Sequence, residues 1–231
     1  MPIVDIPSGQ DGLTGYLATP ASGRGPGVIV IQEWWGIVPH IQSVADRLAA
    51  AGFVALAPDL YRGQHTTEPD EAGKLMMGLR VASAADDIAS TANHLVRSGL
   101  LTGAQVGCVG FCMGGGLALL APTVSEDIDC TAAFYPAMPW PDYHPDWARY
   151  SGKEALIHQC EGDLPSTGED IARYADAIAD HQGIAVVETY PGTQHAFFND
   201  DRPEVHDAKA SALAWERTLS LLHRRLDGPF R

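Results

Sequence analysis

Val106-Gly107-Cys108-Val109-Gly110-Phe111-Cys112-Met113-Gly114-Gly115-Gly116 is the stretch that decides the fold of this 231-residue chain. The apolar run 106–109 reads as a strand, and the glycine-rich continuation as a sharp turn into a helix. A thiol, Cys112, stands at the apex of that turn. A strand-to-helix turn tight enough to expose one side chain holds its residue in a strained backbone conformation. Side chains two positions to either side would obstruct it, and Gly110 and Gly114 remove that obstruction. Gly115 and Gly116 let the helix approach the sheet closely. The helix beginning after Cys112 aims its unpaired N–H groups and its positive dipole end at the sulfur, which favours the reactive thiolate. The competing reading is a glycine-rich connection around a buried, inert cysteine.

Outward from this turn, strands and helices alternate. Val28-Ile29-Val30-Ile31 is a continuous β-branched run, as a strand buried on both faces requires. It follows a loop over residues 23–27. Ile41, Val44, Ala45, Leu48 and Ala49 recur at helical spacing, and Gly52 stops that helix. Residues 53–57 read as the next strand, 71–77 as a short helix and 82–97 as a longer one. Residues 130–134, 155–160 and 185–190 are further strands. Ser166-Thr167-Gly168-Glu169 fits a capping box for a helix through Asp180. Pro203 suits the first turn of a closing helix that runs to about Leu226. A Gly-rich stretch from Ser8 to Gly15, followed by Tyr16-Leu17-Ala18, suggests an early hairpin. Such alternation needs crossover connections, and so predicts an α/β fold with a mainly parallel sheet and helices on both faces. The length suits one domain over residues 1–231.

Composition narrows the function classes. Hydrophobic residues make up 45% and charged residues 19%, a globular balance. A net charge of −14 argues against nucleic acid and against anionic membrane surfaces, which call for a basic face. The first residues have no basic and apolar leader pattern, and no window reaches the length of a membrane span. Cys108, Cys112, Cys130 and Cys160 lack zinc-type spacing, so free thiols in a reducing cytoplasm are expected, with no metal. Nothing in the sequence sets an oligomeric state.

Asp163, in Glu161-Gly162-Asp163, and His195, in Gly192-Thr193-Gln194-His195, each follow a predicted strand. Nucleophile, acid, histidine is the hydrolase order on an open parallel sheet, where ligands gather beyond the carboxyl ends of the strands. Asp163 would accept the second ring N–H of His195 and fix its tautomer. His158 lies inside a strand pattern and reads as structural, while His181, His206 and His223 read as solvated helix residues. Gln32-Glu33-Trp34 follows the 28–31 strand, which makes the Trp34 and Met113 amides the expected oxyanion donors. Beside a partly desolvated thiol, the carboxyl of Glu33 would be a useful base.

Together these residues resemble the dienelactone hydrolase family of α/β-hydrolases. The likeness rests on Gln32-Glu33-x-x-Gly36, Pro58-Asp59-Leu60-Tyr61, Gly110-Phe111-Cys112-Met113-Gly114-Gly115 and Gly192-x-x-His195-x-Phe197. It implies a Cys112–His195–Asp163 triad whose thiol ionisation is governed by Glu33. It also implies cleavage of a small ester or lactone through an acyl-enzyme, with no cofactor. Asn199 stands where dienelactone-cleaving members place an arginine that holds the substrate carboxylate. Arg62, Lys74, Arg80 and Tyr135 are the remaining candidates for substrate contact. Two other classes fit the same exposed thiol. One is a redox-responsive protein with Cys108 as a weak resolving partner, and the other is a non-catalytic small-molecule binder.

Overall fold

The computed structural model describes residues 3–9, 12–163, 165 and 167–227. Among them eight strands form a sheet in the order β1-β2-β4-β3-β5-β6-β7-β8. β1 (Ile3–Asp5) and β2 (Thr14–Ala18) form the early hairpin, and β2 lies antiparallel to β4 (Val54–Pro58). β3 (Gly25–Ile31), β5 (Leu101–Phe111), β6 (Ile128–Phe134), β7 (Glu154–Gly162) and β8 (Ile184–Gln194) complete a parallel run with β4. The chain steps outward from β3 to β4, then crosses back to place β5 on the other side of β3. Open α/β sheets form their ligand crevice at such a reversal. Glu33 follows β3 and Cys112 follows β5, so both stand at this point.

Alternation along each strand sorts the core into two faces. Val28 and Val30 pack with α1 (Pro39–Ala50) and α6 (Ala208–Leu226). Ile29 and Ile31 pack with α3 (Val81–Arg97) and α4 (Met113–Val124). All four are fully buried, each worth about 1.5–3 kcal/mol relative to exposure. α2 (Pro69–Gly78) lies mostly exposed over the second face, while α5 (Gly168–Asp180) covers β7 and β8. No helix of the described residues is long and apolar enough to cross a membrane.

Three local readings differ from expectation. Residues 25–27 belong to β3 rather than to a loop, because Gly25 pairs with Leu101 and lies against the Gly52 carbonyl, where a Cβ would have no room. The α5 cap falls one residue later than the spacing suggested. Thr167 accepts from the Asp170 amide at 3.3 Å, and the Asp170 carboxylate accepts from the Thr167 amide at 2.9 Å. Ser166 lies outside the described residues. Pro203 sits in a turn short of α6, whose start is set at Ala208 by Asp207 accepting from the Ala210 amide at 2.8 Å. His206 thus precedes α6 and His181 follows α5, so of the three solvated histidines His223 alone is helical.

Candidate active site

Backbone packing shapes the turn at Cys112. Cys112 caps α4 with φ 56° and ψ −120°, a conformation non-glycine residues rarely hold, at a cost of about 1–3 kcal/mol. Its amide donates to the Phe134 carbonyl at 3.0 Å, and its own carbonyl accepts from Ala137 at 2.9 Å and Gly116 at 3.1 Å. The flanking glycines are needed for a reason other than crowding around the sulfur. A Cβ on Gly110 would stand 2.0 Å from the Gly114 carbonyl oxygen, and one on Gly114 would stand 2.3 Å from that of Gln32. Strand, helix and the loop after β3 therefore touch backbone to backbone. This contact brings the Trp34 turn beside the first N–H groups of α4, where the Met113 amide has no helical carbonyl to meet.

The loops after β7 and β8 carry Asp163 and His195. His195 Nδ1 lies 2.9 Å from Asp163 Oδ1, and the Asp163 side chain is 2% exposed. The second oxygen, Oδ2, accepts from the Cys160 thiol at 3.1 Å. Sequence reasoning placed Cys160 in a strand and missed this contact. The available signal was its position three residues before Asp163, at the same strand end. Nε2 of His195 is buried and has no hydrogen-bond partner. The Cys112 sulfur lies near enough to the ring to be among the groups that raise it. Burial disfavours a charged ring, but the hydrogen bond to Asp163, together with the nearby Cys112 and Cys160 sulfurs, outweighs it and pushes His195 up to about 12.

Glu33 is 1% exposed, and a buried carboxylate must be hydrogen-bonded to persist. Its Oε1 accepts from the Tyr135 hydroxyl at 3.2 Å, and its Oε2 from Asn199 Nδ2 at 2.8 Å. Tyr135, expected as a substrate contact, is fully buried with φ 37° and has no surface to offer a ligand. It holds Glu33, and its ring stands edge-on to His195 at 5.0 Å.

The three candidate cations gather elsewhere. Arg62, Lys74 and Arg80 line an open cleft of about 360 Å³ with Tyr61, and none of Glu33, Cys112, Asp163 or His195 lines it. Arg62 is paired with the buried carboxylate of Asp87 at 2.8 Å, and Lys74 with Glu71 at 2.7 Å. Tyr61, which lines this cleft, donates its hydroxyl to the Met113 sulfur at 3.3 Å and so stands between the cleft and the turn at Cys112. His158 is structural as read. It is fully buried against Tyr190 and Thr218, and burial, aided by Arg217, holds it down at about 3. Three described groups (Cys160, Asp163 and His195) bring ligand atoms within 4.8 Å of one another, an arrangement suited to a metal ion that the cysteine spacing did not disclose.

Known proteins share this frame. The model of the dienelactone hydrolase family matches residues 13–226. Over 217 residues the chain is 34% identical to a protein of Aquifex aeolicus named as a candidate carboxymethylenebutenolidase, a match covering 89% of this chain and 90% of that one. It is 28% identical over 236 residues to a Bradyrhizobium protein named as a candidate 2-oxo-3-(5-oxofuran-2-ylidene)propanoate lactonase, covering 97% and 94% of the two. A crystal structure from Klebsiella pneumoniae, named as a candidate dienelactone hydrolase, superposes with a TM-score of 0.83 at 24% identity, covering 96% and 98%. That likeness shows the α/β-hydrolase fold. The family match runs from the end of the hairpin loop to the last turn of α6, and on that ground the chain belongs to the dienelactone hydrolase family and is a hydrolase.

Proposed function

We propose that the protein hydrolyses a small, uncharged ester or lactone through a Cys112–His195–Asp163 triad and an acyl-enzyme. The observation that carries this reading is His195, bonded through Nδ1 to Asp163 while its buried Nε2 faces the Cys112 sulfur without another partner. The thiolate attacks the substrate carbonyl, and the Trp34 and Met113 amides receive the oxyanion, each such donor worth about 10²–10³ in rate. His195 gives its Nε2 proton to the departing alkoxide or enolate, leaving a thioester on Cys112. Water, surrendering a proton to the same nitrogen, attacks that thioester and expels the thiolate. Thiolate leaves more readily than an amine, so amides are poor substrates.

The uncharged substrate follows from how the neighbouring donors are spent. Asn199 gives its amide to Glu33, and Arg62 is committed to Asp87. A carboxylate at the site would meet the buried Glu33 with no free cation supplied by either residue. Glu33 serves as the carboxylate that sets the ionisation of the thiol. The redox alternative gains no support from Cys108, which is fully buried in β5 with its thiol pushed up by that burial.

The test is a screen of nitrophenyl esters and of enol lactones with and without a carboxylate, with Cys112→Ala as the blank. Turnover of the neutral members that falls by about 10⁴ or more in the variant is the expected result. Undiminished turnover removes Cys112 from the chemistry, and preference for the acidic lactones overturns the uncharged class.

A further inference from the structure

The contact between Cys160 and Asp163 has a use that hydrolysis does not require. A structural buried thiol normally packs as a small hydrophobe. This one points its sulfur at a carboxylate oxygen 3.1 Å away, and the other oxygen of that carboxylate is 2.9 Å from an imidazole nitrogen. Thiolate, imidazole and carboxylate are the zinc-binding side chains, with bonds of about 2.3, 2.0–2.1 and 2.0–2.2 Å. Ligand atoms around one tetrahedral ion of those bond lengths stand roughly 3.3–3.6 Å apart. Here the sulfur, a carboxylate oxygen and a ring nitrogen of His195 already lie within 4.8 Å of one another. Cys160 is fully buried and Asp163 nearly so, while the His195 side chain is 21% exposed and gives an ion its way in.

We propose that Cys160, Asp163 and His195 form a three-ligand site for a soft divalent cation such as zinc, and that its occupation switches the enzyme off. Binding at Nδ1 releases the proton shared with Asp163 to solvent, along with the Cys160 thiol proton. The remaining imidazole proton then resides on Nε2, and giving it to the leaving group would produce a metal-bound imidazolate, so acylation loses the imidazolium acid it uses. Asp163 is turned from the histidine to the metal in the same step. The soft sulfur ligand selects zinc, cadmium or cobalt over magnesium and calcium. The inhibition rests on the triad reading, whereas the binding does not. The experiment therefore reads them separately.

Cobalt(II) is titrated into the full-length, metal-free protein, and the thiolate-to-cobalt charge-transfer band is followed by absorbance. The expected result is a band saturating at one cobalt per chain in wild type and in Cys112→Ala, and absent in Cys160→Ala. Zinc inhibition of esterase turnover, scaled to each protein's own zinc-free rate, should need at least tenfold more zinc in Cys160→Ala. Far-UV dichroism and the urea midpoint verify folding. Cys160→Ser, which retains a donor to Asp163 but replaces the soft ligand, provides a second variant with the same expected loss. A band that requires Cys112, that survives in both Cys160 variants, or that never forms overturns the site. A normal band with zinc-insensitive turnover overturns the switch and leaves the binding intact.

Discussion

The two halves of the candidate site are built by different means. The nucleophile half is fixed by backbone against backbone. Gly110 abuts the Gly114 carbonyl, Gly114 abuts the Gln32 carbonyl, and Cys112 is locked at φ 56° by hydrogen bonds to its amide and carbonyl. The acid–histidine half is fixed by side chains. Asp163 is held between the Cys160 thiol and His195, and a Cβ on Gly162 beside it would only reach ordinary contact with the Thr193 carbonyl at 3.5 Å. One half therefore tolerates no added atom, while the other depends on which polar groups are present.

Asp163→Asn attacks the second half where it is most vulnerable. An amide cannot both accept from Nδ1–H and stabilise the imidazolium, so kcat on a neutral ester should fall by about 10³–10⁴, and the urea midpoint at neutral pH should fall as well because the charged ring loses its main partner. A loss under tenfold would mean that this pairing is structural. Paired alanine substitutions at glycine then test the contrast itself. Gly114→Ala should lower stability by about 3 kcal/mol or prevent folding, since backbone carbonyls 2.3 and 2.5 Å from the new Cβ cannot yield like a side chain. Gly162→Ala should stay within about 0.5 kcal/mol of wild type in the same denaturant titration. Equal costs at the two positions would erase the distinction.

This difference in construction explains what could be read beforehand. Backbone constraints leave glycines at fixed offsets, so the turn around Cys112, the strand before it and the helix after it were legible from spacing alone. The order of Cys112, Asp163 and His195 was legible because each follows an apolar run. Side-chain constraints leave no such mark. Cys160 was indistinguishable from any strand cysteine until β7 placed its sulfur on Asp163, and Tyr135 was expected at the substrate until its hydroxyl was found on Glu33. The Arg62–Asp87 pair joins residues 25 apart in sequence, and nothing in either segment announces it. Pro203 misled for a local reason: proline suits a first helical turn, but the Asp207 side chain, which accepts from the Ala210 amide, determines where the helix begins.

Glu33 belongs to both kinds of construction, with a backbone set by the β3 turn and a carboxylate set by Tyr135 and Asn199. Glu33→Gln leaves one carboxamide oxygen to serve two donors, and its NH₂ would confront either the Asn199 NH₂ or the Tyr135 hydroxyl. One unsatisfied buried group costs about 1–3 kcal/mol. The expected outcome is a kcat loss of about tenfold, together with a shifted pH dependence of Cys112 alkylation by iodoacetamide. If the alkylation profile is unchanged, Glu33 acts on the fold and not on the thiol.

The last effect concerns the charge on His195, and it separates the halves by pH. His195 rises from the ordinary 6.5 to about 12, with burial opposing the charge and the bond to Asp163, together with the nearby Cys112 and Cys160 sulfurs, prevailing. The folded chain thus holds this proton more tightly than the unfolded chain does. The resulting stabilisation is complete below about pH 6.5 and drains away as pH climbs toward 12. The difference in unfolding free energy between wild type and His195→Gln should therefore shrink steadily from about pH 6 to about pH 9. In an Asp163→Asn background the same comparison should be flatter, because the largest favourable partner of the charged ring is gone. Gly114→Ala, which perturbs only backbone packing, should impose a cost that does not vary over that range. A His195→Gln difference that widens with pH would reverse the sign of this linkage, and the ring would then be held neutral in the folded protein.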